Sequence, residues 1–181
     1  MESCKTGLTV GNGAAINVEL GWIPDYVMVY NCTDGDIFTF AFLGELVIPF
    51  SGGGTNEIAA GDTITGATSG ATAVVKEVLL YSGSWAGGDA AGFFVVERDS
   101  VVGTFGSENV VGEAAGATDD ATVTAAVTHC GNSGLGGAVT GNDALSAYVG
   151  AAGSNAKGFT IGSSVAEEAK LLRYVAYRND R

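Results

Sequence analysis

Residues 61–72 read Gly-Asp-Thr-Ile-Thr-Gly-Ala-Thr-Ser-Gly-Ala-Thr, and a degenerate copy begins 46 residues later. Asp62 aligns with Glu108, Ile64 with Val110 and Gly66 with Gly112; Gly70-Ala71-Thr72 then aligns with Gly116-Ala117-Thr118 at the same offset. A repeat this short, rich in Thr and Val and punctuated by Gly, fits a pleated strand followed by a tight turn and fits a helix poorly. One small β unit is therefore expected twice in the middle of the chain.

Composition extends that expectation to the whole molecule. Among 181 residues, 29 are Gly and only 2 are Pro, with no collagen period, the mark of many tight turns between short strands. Hydrophobic residues make up 46%, enough to build real cores. Eight basic residues stand against 20 acidic ones, a formal net charge of −12. A nucleic-acid binder needs a basic face to displace phosphate counterions, so nucleic acid is not an expected partner. The N-terminus has no apolar signal core, and no apolar run approaches the length of a membrane span, so no membrane is expected either.

Alternation places strands at Leu8–Val10, Ala15–Leu20, Tyr26–Asn31, Ile37–Leu43 and Leu46–Phe50, with a Pro corner at Gly21–Asp25 and hairpin-turn chemistry at Thr33–Asp36. Ser51–Asn56 reads as a flexible joint. Strands follow near Thr63-Ile64, Ala71–Leu80, Gly92–Glu97, Val101–Phe105, Asn109–Val111 and Ala121–Val127, and a second Gly-rich joint spans Asn132–Gly137. Ala144–Val149 reads as a short helix, Gly158–Gly162 as a strand entering a turn, and Leu171–Tyr177 as the last strand. Ser164 and Glu167 have capping-box spacing, so a helix through Leu172 is the rival.

The expected architecture is all-β. A jelly-roll-like or sandwich domain is drawn from both chain ends (1–56 and 131–181). A small β-barrel-like module, 57–130, is inserted in it and carries the repeat. Insertions of this kind are tolerated because domain ends commonly lie close together.

Chemistry is sparse. A single His, His129, excludes any two-histidine metal site, and its neighbour Cys130 would point to the opposite face of a strand. Cys4, Cys32 and Cys130 fit no zinc spacing, and Cys4 and Cys32 meet only if the N-terminal strands pair suitably. Asp34, Asp36, Asp119 and Asp120 supply oxygens but no calcium loop. Gly52-Gly53-Gly54 is followed by no Lys-Ser or Lys-Thr, so no phosphate loop is present. No catalytic residue, cofactor or metal is expected, and an enzyme is not the reading. The candidate binding residues are Trp85, Tyr81, Arg173, Arg178 and Arg181. Trp85 sits among Gly and Ser, as an exposed aromatic anchor or as a lid over the module's core. The arginines close the chain together with Lys170, as a solvated last strand or as a basic strap for an acidic partner.

Three segments resemble known structural proteins. Gly21-Trp22-Ile23-Pro24-Asp25-Tyr26-Val27 is similar to a corner found in many tailed-phage virion proteins. Gly158-Phe159-Thr160-Ile161-Gly162 and Tyr174-Val175-Ala176-Tyr177 are similar to their closing strands, and the inserted repeat, with Val102–Phe105 and Glu108, to their β modules. The chain departs from that pattern at Glu167–Lys170, where relatives often carry Asn and Gly. The resemblance implies a capsid decoration (cement) protein, homotrimeric, on the outer surface of the virion and bound to the major capsid protein. A tail-fibre or surface carbohydrate-binding module, stacking sugars on Trp85 and Tyr81, is the alternative.

Overall fold

A computed structural model describes residues 4–35, 38–112, 120–124, 128–131, 144–150 and 156–179. The chain divides into two compact units, 1–44 with 129–181, and 45–128. The described residues form strands, turns and one short 3-10 turn, Arg98–Ser100, with no α-helix.

The first unit is a two-sheet sandwich. Strands β1 (Cys4–Val10), β3 (Tyr26–Asn31), the first part of β4 (Phe38–Gly53) and β13 (Leu171–Tyr177) form an antiparallel sheet in the order β1-β13-β3-β4. A second sheet runs β11-β12-β2, from Leu145–Tyr148, Gly158–Ile161 and Ile16–Glu19. One core joins them: Val27 and Val29 of β3, Ala41 and Leu43 of β4, and Leu172 and Ala176 of β13 pack with Leu145, Phe159 and Ile161. Trp22 is buried in the same core, as its place beside Pro24 indicated. β10 (Thr128–Gly131) pairs with β4, with Gly131 against Phe40 and Ala41.

The second unit is a closed six-stranded antiparallel barrel. The remainder of β4 is followed around it by β7 (Ala90–Glu97), β6 (Thr72–Ser82), β5 (Thr63–Gly66), β8 (Glu108–Gly112) and β9 (Ala121–Val123). β9 returns to β4 through Phe50↔Val123 and Ser51↔Thr122. Closure leaves the barrel without an edge, and side chains fill a barrel of this size. Phe50 lies between Phe94 and Trp85, with ring centroids 4.1 and 5.5 Å away and interplanar angles of 12° and 13°.

The two repeat copies pair with each other. β5 and β8 are antiparallel, with Ile64↔Gly112, Thr65↔Val111 and Gly66↔Val110. Advancing the first member of a pair by 46 residues and setting the second back by 46 reproduces the same set of pairs, so a local two-fold passes between Thr65 and Val111. The second halves of the copies differ. Thr63 pairs with Val74, whereas its equivalent Asn109 pairs with Thr122, two residues beyond the repeat offset. Gly116–Thr118 lie outside the described residues.

Glu108 fastens this structure. Its carboxylate accepts the N–H groups of Thr68 and Ser69 at 2.8 Å and of Gly106 at 3.1 Å, and the Ser69 hydroxyl at 2.6 Å. Gly66 makes room for it, since a Cβ there would lie 2.7 Å from the carboxylate carbon. The Ser69 hydroxyl foremost, then the backbone donors, lower its pKa from an ordinary 4.5 to about 2. A group whose pKa falls on folding contributes stability above its unfolded value and loses it as pH falls through the folded one. The cradle's contribution is thus complete above pH 4.5 and fades toward pH 2. Glu108→Gln is expected to be less stable than wild type at pH 7, and the gap is expected to close as pH falls through that window. Chemical denaturation at pH 7, 4 and 2.5 measures it; a constant gap would contradict the assignment.

Several expectations are corrected. Ser51–Gly53 is not a flexible joint: it continues β4, where Ser51 pairs with Thr122 and Gly53 with Ala90. Gly53 answers a close approach, because a Cβ there would stand 2.7 Å from the Ala90 Cβ and 2.8 Å from the Trp85 ring. The division between units accordingly falls at Gly44/Glu45 and Thr128/His129, not at 56 and 131. Ala144–Val149 is not a helix, since Leu145–Tyr148 is held in register against β12; ladder pairing overrides the helical propensity of Ala. Val101–Phe105 is not a strand, and only Val102 bridges, to Thr72. His129 and Cys130 lie on strand β10. The rival helix through Leu172 is also absent: residues 163–169 turn, with Ala169 at φ 61°, and β13 follows. The second joint, Asn132–Gly137, lies outside the described residues.

Candidate interaction face

The core-facing positions of β3, β4 and β13 are mostly apolar, with Thr39 and Asn31 the buried polar exceptions on β4 and β3, which is ordinary for a sandwich sheet. Their opposite faces are apolar too, which is not, because an antiparallel sheet with one solvated side alternates apolar-in with polar-out. In β3 the residues alternating with Val27 and Val29 are Tyr26, Met28 and Tyr30; in β4 those alternating with Thr39 and Ala41 are Phe38, Phe40 and Phe42.

Register assembles these side chains into rows. Leu8, Arg173, Tyr30 and Phe38 lie side by side across β1, β13, β3 and β4. Thr6, Val175, Met28 and Phe40 form the next row, and Cys4, Tyr177, Tyr26 and Phe42 the third. Val10 and Leu171 add a partial fourth row on β1 and β13. Ring contacts knit the aromatic half: across strands, Tyr30–Phe38 centroids are 4.8 Å apart and Tyr26–Phe42 5.1 Å, and along β4 Phe40–Phe42 are 6.1 Å apart.

These side chains are open. Leu8 and Val10 are each 58% exposed, Phe38 54%, Phe42 50%, Tyr177 42% and Leu171 40%. Four strands about 4.8 Å apart and seven residues rising about 3.4 Å each give a footprint on the order of 450 Å². An apolar patch of that size is comparable to the largest on a typical monomer, and such patches are often functional.

Electrostatics favour the same face. Among the described residues its only charged side chain is Arg173, exposed between Leu8 and Tyr30. At its rim Lys170 Nζ donates to Asp34 at 2.6 Å, and this bond, ahead of the opposing effect of burial, holds the Asp34 carboxyl below its ordinary value. Asn31 accepts the N–H groups of Thr33 and Asp34 at 3.0 and 3.1 Å, fixing the β3–β4 turn. A chain with a net charge of −12 thus presents one broad surface on which, among the described residues, no carboxylate sits.

The residues singled out by sequence scatter. Trp85 is 7% exposed and belongs to the barrel core, so it is the lid and not an exposed anchor. Tyr81 is 67% exposed on the barrel, with the Phe93 ring 5.8 Å away. Arg173 sits on the apolar face, Arg178 is half-buried just past β13, and Arg181 lies outside the described residues. Lys170 is engaged by Asp34, so the last twelve positions do not present four matching charges to an acidic partner. Cys4 and Cys32 lie toward opposite ends of the sheet: Cys4 pairs with Tyr177, whereas the Cys32 N–H reaches Leu171 O. Both thiols are free, and a disulfide between them is ruled out. Among the described residues no three of His, Cys, Asp and Glu gather as a metal would need.

The aromatic face itself was missed. Its signal was present in Tyr26-Val27-Met28-Val29-Tyr30 and in Phe38–Phe42, runs apolar at both odd and even positions. Compared with known proteins, the chain matches no family model, no curated protein and no solved structure.

Proposed function

We propose that this is a structural assembly protein, which works by packing the outer face of its β1-β13-β3-β4 sheet against a neighbouring protein. The observation that carries the reading is three complete rows of four side chains, mostly apolar and open, on an otherwise acidic chain. Binding energy spread over area is what such a face supplies, and it calls for no reacting group.

The setting we propose is the outer surface of a tailed-phage capsid, with the major capsid protein as the neighbour. Its support is the resemblance at Gly21–Val27, Gly158–Gly162 and Tyr174–Tyr177. A footprint on the order of 450 Å² is roughly half of what one partner contributes to a standard interface, so a repeating shell that engages many copies suits it. The carbohydrate-binding alternative loses Trp85 to the barrel core and keeps only Tyr81.

Co-sedimentation with capsid shells stripped of accessory proteins tests the proposal. Saturable binding, at a fixed number of copies per major capsid subunit, is the expected result. A chain that stays in the supernatant with intact shells would remove the capsid setting.

A further inference from the structure

β1 is the free edge of the sandwich sheet: the strand order begins with it, and among the described residues only β13 pairs with it. Natural edge strands are commonly blunted by Pro, bulges or charge. β1 has none of these devices on its outer side. It runs seven residues in unbroken register with β13, and its one charged residue, Lys5, turns away to donate to Leu20 O.

The orientation of its backbone follows from register. Gly11 N–H donates to Lys170 O, and Gly11 continues the β1–β13 ladder by one pair. Hydrogen-bonded pairs alternate in an antiparallel ladder. Thr9, Gly7 and Lys5 therefore bond inward to β13, while Cys4, Thr6, Leu8 and Val10 direct N–H and C=O outward.

We propose that this edge pairs with the β1 of a second copy, antiparallel, across a two-fold axis centred on Gly7. That register places Cys4 opposite Val10 of the second copy and Thr6 opposite its Leu8. Every outward N–H and C=O is then used, in about eight new hydrogen bonds. Two further observations favour a second copy over another strand. No carboxylate lies on β1, so two chains of net charge −12 meet where repulsion is least. And pairing joins the two aromatic faces into one eight-stranded surface, doubling the footprint to about 900 Å². The dimer extends the reading above but does not depend on it, since it concerns the sheet's edge and not its face.

Three variants test the pairing. Wild type is expected to sediment at twice the 18.1 kDa chain mass. Thr6→Pro removes an outward N–H and leaves the bonds to β13 intact, so it is expected to weaken the dimer at least 100-fold while circular dichroism stays unchanged. Val10→Cys is expected to give an interchain disulfide with native Cys4 under mild oxidation, because opposed residues of a hydrogen-bonded pair lie about 5.5 Å apart. Within one chain those positions are about 20 Å apart at about 3.4 Å per residue, too far to bridge. Adding Cys4→Ser is expected to abolish the crosslink. A monomer at all concentrations, a trimer, a dimer unaffected by Thr6→Pro, or failure of the Val10→Cys crosslink would each overturn the proposal. Phe38→Lys/Phe42→Lys, on the far strand of the sheet, separates this claim from the previous one: it is expected to leave the dimer intact while abolishing shell binding.

Discussion

Replacing Trp85 with Ala is expected to cost the barrel about 3–5 kcal/mol, the range for deleting a buried large aromatic. The reason is local. Trp85 stacks on Phe50, which stacks on Phe94, and all three belong to one core with Ile48, Ile64 and Val96. Gly53 leaves the slot the indole enters. Urea denaturation measures the loss. Tyr81→Ala, at an open site, is expected to stay within about 0.5 kcal/mol of wild type. Equal small losses at both positions would mean that the Phe50 stack does not anchor the barrel.

The second large effect concerns association. Phe38 and Phe42 contact Tyr30 and Tyr26 on the open side of the sheet, and core packing falls instead to Val27, Val29, Ala41 and Leu43. Phe38→Lys/Phe42→Lys removes three aromatic pairs, worth about 0.5–1.5 kcal/mol each, on a face that does not build the core, so the free chain is expected to fold with reduced stability. Binding to a partner is expected to fall at least 100-fold, because truncated aromatic anchors at a packed interface commonly cost about 2 kcal/mol or more each and buried lysines add a desolvation penalty. Sedimentation with shells and a thermal melt on the same sample read both quantities. Loss of folding in parallel with loss of binding would show that these rings serve the core.

Much of the fold was legible because β signals here are local. Tyr26–Asn31 and Leu171–Tyr177 match the observed β3 and β13 end to end, since both are short runs rich in the aromatic and β-branched residues that favour a sheet. The repeat was legible as spacing, but not its two-fold, because which strand pairs with which is a tertiary choice. Where reading failed, a distant partner decided. Ala144–Val149 looks helical until β12 offers it a ladder. Gly52-Gly53 looks flexible until Trp85 and Ala90 are seen against it. β4 runs through Pro49, whose carbonyl accepts the Thr124 N–H at 3.0 Å.

The site was harder to read than the fold. A strand apolar on both faces is compatible with burial on both sides, and nothing in Tyr26-Val27-Met28-Val29-Tyr30 says which side is covered. Trp85 drew attention because Gly and Ser surround it, a composition equally suited to a loop that turns back over a core. Arg173 gains meaning only from its neighbours Leu8 and Tyr30, which arrive from other strands.

Hydroxyl-radical footprinting of the free chain and of assembled virions tests the central claim most directly. Tyr26, Phe38, Phe42 and Tyr177 are expected to label readily in the free chain and to be protected in the particle, while Tyr81 on the barrel labels in both. Equal labelling of the four aromatic residues in both states would contradict an account in which this sheet face is the surface that grips a neighbour.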